Sequence, residues 1–448
     1  MSLSMKLLLP ILVLIATPLF AHEGHDHDHG PAKYADAEAY KPTPVPDRIV
    51  LTWTGDPATT QAVTWRTSTD VKKGIAQIAI AEDGPLFRDK ATDVAATTQH
   101  LKSDLNEAHY HTVQFTALKP KTKYVYRVGL GENFSEWFHF QTASTEPEPF
   151  SFIYFGDAQN DVRSMWSRIV REAQSDAPKA KFLLHAGDLI NRANRDAEWG
   201  EWFSAGGWLN AMIPNVPTSG NHEYEKTGEV RAVSRHWRPQ FALPEHGPKG
   251  LEETVYYFDY QGVRVVSLNT NELWEEQVPW LEKVLSENPQ KWTILTFHHP
   301  IYNAKAGRDL PPLRDLWQPV FDKHHVDLVL TGHDHTYARS DIRVWDNLQS
   351  GTNVRDPKSG TVYVVSVSGP KMYEVEKRPM MRRVAEDTQL YQIITVNGDS
   401  LKYEARTAKG SLYDAFTLNK REGQPNELIE QVPDIPENRR APKTTAQQ

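Results

Sequence analysis

The chain has 448 residues, 39% hydrophobic and 10% aromatic, with a formal net charge of −8 and no cysteine. Length suggests roughly two to three domains, the apolar share supports packed cores, and the slight acidity lacks the basic footprint of a nucleic-acid binder. Without cysteine, disulfides, thiolate metal sites, a cysteine nucleophile and a lipidated N-terminal cysteine are excluded.

At the N-terminus Lys6 precedes the apolar run 7–16, and Thr17-Pro18-Leu19-Phe20-Ala21 follows. Residues 1–21 therefore read as a cleaved secretory signal. The run is shorter than the ~20 residues of a spanning helix, and no later stretch is long and apolar enough to span. The expectation is a periplasmic or secreted protein with no membrane association after cleavage. Residues 22–46 read as a His-rich and Pro-rich linker. Its opening, His22-Glu23-Gly24-His25-Asp26-His27-Asp28-His29, alternates imidazole and carboxylate in a way that captures divalent metals.

Residues 47–143 are patterned as short strands between turn residues, among them 49–54, 61–66, 75–80 and 122–129. About seven such strands fit an immunoglobulin-like β-sandwich similar to fibronectin type III modules. After a proline-stiffened linker, residues 150–410 alternate strands with helical stretches at 162–174, 199–212, 279–286 and 313–325. This predicts an α/β domain with ligands at its strand ends. Strands at 361–367, 390–396 and 401–407 complete the core, and 421–448 reads as a polar tail in which Leu428, Ile429 and Val432 are candidate docking points.

Five apolar runs in the second domain end in a tight turn carrying metal-type ligands: Gly156-Asp157, Gly187-Asp188, Gly220-Asn221-His222-Glu223, His298-His299 and Gly332-His333-Asp334-His335. Carboxylates and imidazoles without thiolates suit Mn, Fe or Zn. Asp157, Asp188, Asn221, His222, His298, His333 and His335 are too many for one tetrahedral ion and suit two metals sharing a carboxylate. Such a pair activates water and clamps both oxygens of a phosphoester displacement.

The order and spacing of these elements resemble the calcineurin-like metallophosphoesterases. With a sandwich in front, the chain looks most like a bacterial purple acid phosphatase. The resemblance covers roughly 47–410 and implies an αββα sandwich behind the immunoglobulin-like domain. It also implies hydrolysis of phosphate monoesters by metal-bound water. By the same resemblance Asp188 bridges two metal ions, Asp157 and His335 hold the first, and Asn221, His298 and His333 hold the second. His222 stabilises the phosphoryl oxygens or protonates the leaving alkoxide, with Glu223 orienting it.

Two departures stand out. Where the family places a histidine two after the first aspartate this chain has Gln159, and where purple acid phosphatases place the tyrosinate ligand it has Asn191. Gln159, Asn191 and His299 therefore rank as weak ligands or supporting groups, and no purple colour is expected. His185 reads as a core histidine. Tyr302, Arg192, Arg195, Arg308 and Arg339 are candidates for a phosphate pocket, and Trp199, Trp202 and Trp208 for helix packing onto the core ahead of a substrate-facing rim. The expected partner is a small phosphoester. The rival readings are a phosphodiesterase or nucleotidase on the same site, or a metal-binding protein without hydrolysis.

Overall fold

The computed structural model describes residues 34–228, 230–342 and 360–440. The expected signal at 1–21 and the His-rich run beginning at 22 lie outside the described residues. Among the described residues no helix is long and apolar enough to cross a membrane.

The first domain is a β-sandwich. One sheet orders the strands Asp47–Thr52, Gln61–Thr67, Glu107–Phe115 and Thr97–Lys102. The other places Ile75–Ile80 between Thr92–Ala95 and Lys123–Leu130, which also pairs with Asn133–Phe134 and Phe138–Gln141. Strand Gln61–Thr67 is buried along its whole length, and side-chain alternation explains why. Val63 and Trp65 point into the sandwich core. Thr64 and Arg66, on the opposite face, meet the second domain: Thr64 Oγ1 donates to the Gln240 carbonyl, and Arg66 lies 3.5 Å from Asp196. Arg48 pairs with the same aspartate at 2.7 Å, and Tyr126 donates its hydroxyl to the Ala211 carbonyl at 2.7 Å. Val50 and Trp53 belong to the core of the second domain.

The second domain stacks two seven-stranded sheets. In the first, Asn215–Pro217, Leu183–His185 and Phe150–Phe155 run parallel, and Leu390–Asn397, Ser400–Thr407, Leu412–Asn419 and Glu427–Glu430 continue antiparallel. In the second, Val263–Ser267, Trp292–Thr296, Leu328–Thr331 and Val362–Val365 run parallel between antiparallel edge strands. Strands covered on both faces read as unbroken apolar runs, and Leu328–Thr331 is buried throughout. Helices Trp274–Ser286 and Pro311–Lys323 close the outer face of the second sheet through Leu281, Leu285, Trp317 and Phe321. Helices Ser167–Asp176 and Asp196–Gly206 supply Ile169, Val170, Trp199 and Trp202 to the core around the first. This is the αββα arrangement implied by the sequence.

Two details differ from the sequence reading. The sheet does not stop at 410: Leu412–Asn419 adds a strand, and Glu427–Glu430 pairs with it inside the stretch read as a tail. Of the three docking candidates, Leu428 packs against the core, whereas Ile429 and Val432 are exposed.

Candidate metal centre

The parallel strands of both sheets end on the same side, and the turns that follow carry the site. Asp157 follows Phe150–Phe155 and Asp188 follows Leu183–His185. Asn221 and His222 follow Asn215–Pro217, His298 follows Trp292–Thr296, and His333 and His335 follow Leu328–Thr331. The glycines before these candidate ligands have a steric reason. A Cβ on Gly220 would sit 2.2 Å from Asp188 Oδ1, and one on Gly332 would sit 2.2 Å from Asp157 Oδ1. Asp188, His333 and His335 adopt left-handed backbone with φ of 52°, 70° and 48°. Strained conformations of this kind collect at functional sites.

Asp157, Asp188 and His335 form one convergent group; His298, His299 and His333 form a second. Asp157 Oδ2 lies 3.1 Å from His335 Nε2, and Asp188 Oδ2 lies 3.1 Å from His298 Nε2. Asn221 Oδ1 joins the second group, 3.1 Å from His298 Nε2 and 3.0 Å from His333 Nδ1. Backbone carbonyls fix the rings: His298 Nδ1 meets Ala186 O and His335 Nδ1 meets Lys371 O, both at 2.9 Å. Each of these two rings therefore turns its Nε2 inward, the arrangement expected of a ligand supported from behind.

The charges agree with this geometry. Burial alone would raise Asp188, but His298 and His222 outweigh it and hold the carboxyl down at about 2. Burial would lower His298, but Asp188 outweighs it and pushes the imidazole up to about 9. A metal cation at this point would replace that proton, since ligands bind deprotonated. Burial, with His299 and His298 beside it, holds His333 far below its ordinary value, so it stays neutral and able to ligate. Asp157 Oδ2 and Gln159 Oε1 are buried without a hydrogen-bond partner. An orphan oxygen such as Asp157 Oδ2, facing the His335 imidazole, fits a bound cation.

The supporting residues fall out differently from the sequence reading. Gln159 Nε2 lies 2.8 Å from Asp188 Oδ2 and 2.9 Å from His335 Nε2, between the two carboxylate turns. Asn191 meets the site through its main chain, its carbonyl accepting from His222 Nδ1. Glu223 does not orient His222. It is fully buried and accepts from the N–H groups of Asp188, Leu189 and Gly220 at 2.7–2.8 Å, bracing two ligand turns against each other. Burial and the neighbouring Asp188 push its carboxyl up to about 8 against the pull of those donors. His299 packs its ring 4.1 Å from His333 and bonds Thr270 Oγ1 through Nδ1.

Of the pocket candidates, only Arg308 reaches the cluster, donating to the His333 carbonyl at 2.7 Å. Arg339 is buried with Asp414 and Glu430, Arg192 pairs with Glu198, and Arg195 with Asp36 and Asp104. Tyr302 packs against Tyr363. His185 is a core residue stacked on Phe155 and bonded to Asn215, and Trp199 and Trp202 are buried. Trp208 is exposed instead of packed. The sequence reading missed Lys371, whose carbonyl sets the His335 ring, and Tyr373, which packs on that ring at 4.7 Å. The turn Gly369-Pro370 after a buried strand was the one available signal.

Comparison with known proteins agrees with this geometry. Residues 150–337 match the family Calcineurin-like phosphoesterase, and residues 46–142 match Purple acid Phosphatase, N-terminal domain. The second domain is a calcineurin-like phosphoesterase domain, and the first is a purple acid phosphatase N-terminal domain. The chain is a metal-dependent phosphoester hydrolase, and the purple acid phosphatases it resembles use a dinuclear metal centre. Among its relatives is an uncharacterised protein of Mycobacterium tuberculosis, 26% identical over 400 residues, 77% of this chain and 73% of that one. A purple acid phosphatase of Glycine max is 27% identical over 282 residues, 58% of this chain and 59% of that one. The structure of a purple acid phosphatase from yellow lupin (Lupinus luteus) seeds shares the fold, with a TM-score of 0.69 at 19% identity over 84% of this chain and 75% of that one.

Proposed function

We propose that this phosphoesterase is an exported phosphatase that hydrolyses phosphate monoesters at a two-metal centre. One observation carries the reading: Asp188 stands between two ligand groups, with Asp157 and His335 on one side and His298, Asn221 and His333 on the other. Asp188 would bridge, and the two groups would each hold one ion of Fe, Zn or Mn, as expected for oxygen and imidazole donors without thiolate. When bound, such a pair supplies Lewis acidity and activates water near neutral pH. Gln159, with its amide turned by half a rotation, would present Oε1 to the first ion, since amide orientation is an assignment.

The chain's own residues supply the rest. His222 N–H donates to Asp188 Oδ1 at 2.9 Å and its Nδ1 is held by the Asn191 carbonyl, which leaves Nε2 facing the open side, 3.9 Å from Asp188 Oδ2. From there the imidazolium would donate the proton that the leaving alkoxide needs. Glu223 keeps the Asp188 and Gly220 turns in register. Export rests on the signal-like residues 1–21.

The test is metal analysis with p-nitrophenyl phosphate and bis(p-nitrophenyl) phosphate as substrates. Two metals per chain and faster monoester cleavage are expected, with Asp188→Ala losing both ions and the activity. Normal turnover with both metals in Asp188→Ala would refute the bridging role. Faster diester cleavage would transfer the reading to a phosphodiesterase.

A further inference from the structure

Three cations gather on one aromatic ring at the rim of the centre. Lys305 Nζ lies 3.6 Å from the Tyr373 centroid, Arg308 Cζ 5.0 Å and Lys371 Nζ 5.7 Å. Tyr373 in turn packs on His335. The main chain ties the group to the ligand turn. Lys371 O accepts from His335 Nδ1, Lys305 N–H donates to Asp334 Oδ2 at 3.2 Å, and the Arg308 guanidinium holds the His333 carbonyl.

Among the described residues their charge is only partly balanced. Arg308 reaches Asp334 Oδ1 at 3.8 Å, but that carboxylate is fully buried beneath the turn. Among the described residues no carboxylate lies within ion-pair distance of Lys305 or Lys371. All three cationic side chains are partly exposed. Cation–π contact with a single tyrosine is a weak attraction, and like charges brought this close repel one another. The arrangement gains most when an anion arrives between them. Lysine and arginine are the residues that take phosphate and carboxylate.

We propose that Lys305, Arg308 and Lys371 bind a second anionic group, a phosphate or carboxylate, carried on the leaving group of the substrate. The inference rests on the phosphatase reading and narrows it to phosphomonoesters with more than one anionic group. The cluster lies beside the His333–His335 turn, so the anion would sit next to the reacting phosphoryl group without displacing any ligand.

The experiment compares 3-phosphoglycerate with glycerol 3-phosphate, which differ by one carboxylate, on the metal-loaded full chain. The expected ratio of kcat/KM is about tenfold in favour of the carboxylate, the size of one charge-assisted hydrogen bond. It should appear mainly in KM and shrink as salt is raised. In Lys305→Met/Lys371→Met the ratio should fall towards one. Lys371→Gln alone should give an intermediate ratio, because the carbonyl that holds His335 is retained. A ratio near one in the wild type, or an unchanged ratio in the double variant, overturns the proposal. If neither ester is hydrolysed, calorimetric Kd values for the same two compounds, wild type against double variant, decide the cluster's role by the same ratio, while p-nitrophenyl phosphate decides the phosphatase reading.

Discussion

Gly220→Ala isolates the steric logic of the centre. Gly220 has φ −92° and ψ −176°, an extended conformation open to any residue, so the substitution brings no backbone penalty. The new methyl would lie 2.2 Å from Asp188 Oδ1, 2.4 Å from Asp188 N and 2.9 Å from Asp188 Cγ. Relief to ordinary contact needs a displacement of about 1 Å, and because one of the crowded atoms is backbone, the whole Asp188 turn has to give. Overpacking of this kind costs about 2 kcal/mol, which lowers Tm by roughly 2 °C in a cooperative unit of this size. The chemistry suffers more, because a misplacement of about 1 Å costs on the order of 10²-fold. The assay is kcat/KM on p-nitrophenyl phosphate with metals counted in the same preparation, and thermal unfolding alongside. The control is Gly207→Ala, where φ is +53° and no atom lies within 4 Å of the added carbon. Its ψ of −137° lies outside the left-handed helical region and suits glycine, so the substitution should cost on the order of 1–3 kcal/mol of stability and leave turnover untouched. Full metal content with near-normal turnover in Gly220→Ala would refute the claim that this close approach sets the bridging carboxylate.

His222→Ala should keep its metals and lose roughly 10²–10⁴-fold on an alkyl phosphate, as expected for a general acid, with a distinctly smaller loss on a nitrophenyl ester, whose leaving group needs no proton. Equal losses on both esters would exclude that role. The freshly purified protein should show no tyrosinate-to-metal charge-transfer band, because Asn191 stands at that position and touches the site through its carbonyl; an intense visible band would show that another tyrosine ligates. His185 is buried, and burial holds its imidazole down at about 4 despite the bond to Asn215. The folded chain therefore binds this proton less readily than the unfolded chain, where the pKa is about 6.5. The stabilising contribution is complete above pH 6.5 and is lost as pH falls towards 4. Between pH 7 and 4.5, His185→Gln should lose roughly 2–3 kcal/mol less unfolding free energy than the wild type, measured by urea titration. Parallel losses in the two proteins would contradict the buried neutral histidine.

The candidate ligand turns were legible because each follows a buried strand, four of the five stopped by glycine, and such strands bring their ends to one side of a parallel sheet. Asp157, Asp188, Asn221, His298, His333 and His335 do meet there. What the sequence hid acts through the main chain. The carbonyls of Ala186, Asn191 and Lys371 aim three imidazoles, and any residue type supplies a carbonyl. Glu223 misled for a related reason: its neighbour His222 suggested a side-chain pair, yet its carboxylate serves backbone N–H groups of two turns. Strand Glu427–Glu430 was missed because an edge strand pairs by backbone and buries only one of its side chains against the core, Leu428.

The salt link between Arg48 and Asp196 bears on where this molecule can be divided. Residues 145–149 look like the natural place for a cut, between two units with separate sequence signatures. Severing the chain there and discarding the sandwich would strip Asp196 of both arginines while His236 remained 3.4 Å away. Trp53 would be lost from its aromatic cluster with Phe182, Phe258 and Tyr260. An uncompensated buried charge is costly, and the exposed aromatics would invite aggregation. Shuffling experiments that graft the catalytic half onto another carrier therefore need a carrier that brings its own arginine pair and its own tryptophan. The two halves have become, in engineering terms, a single part.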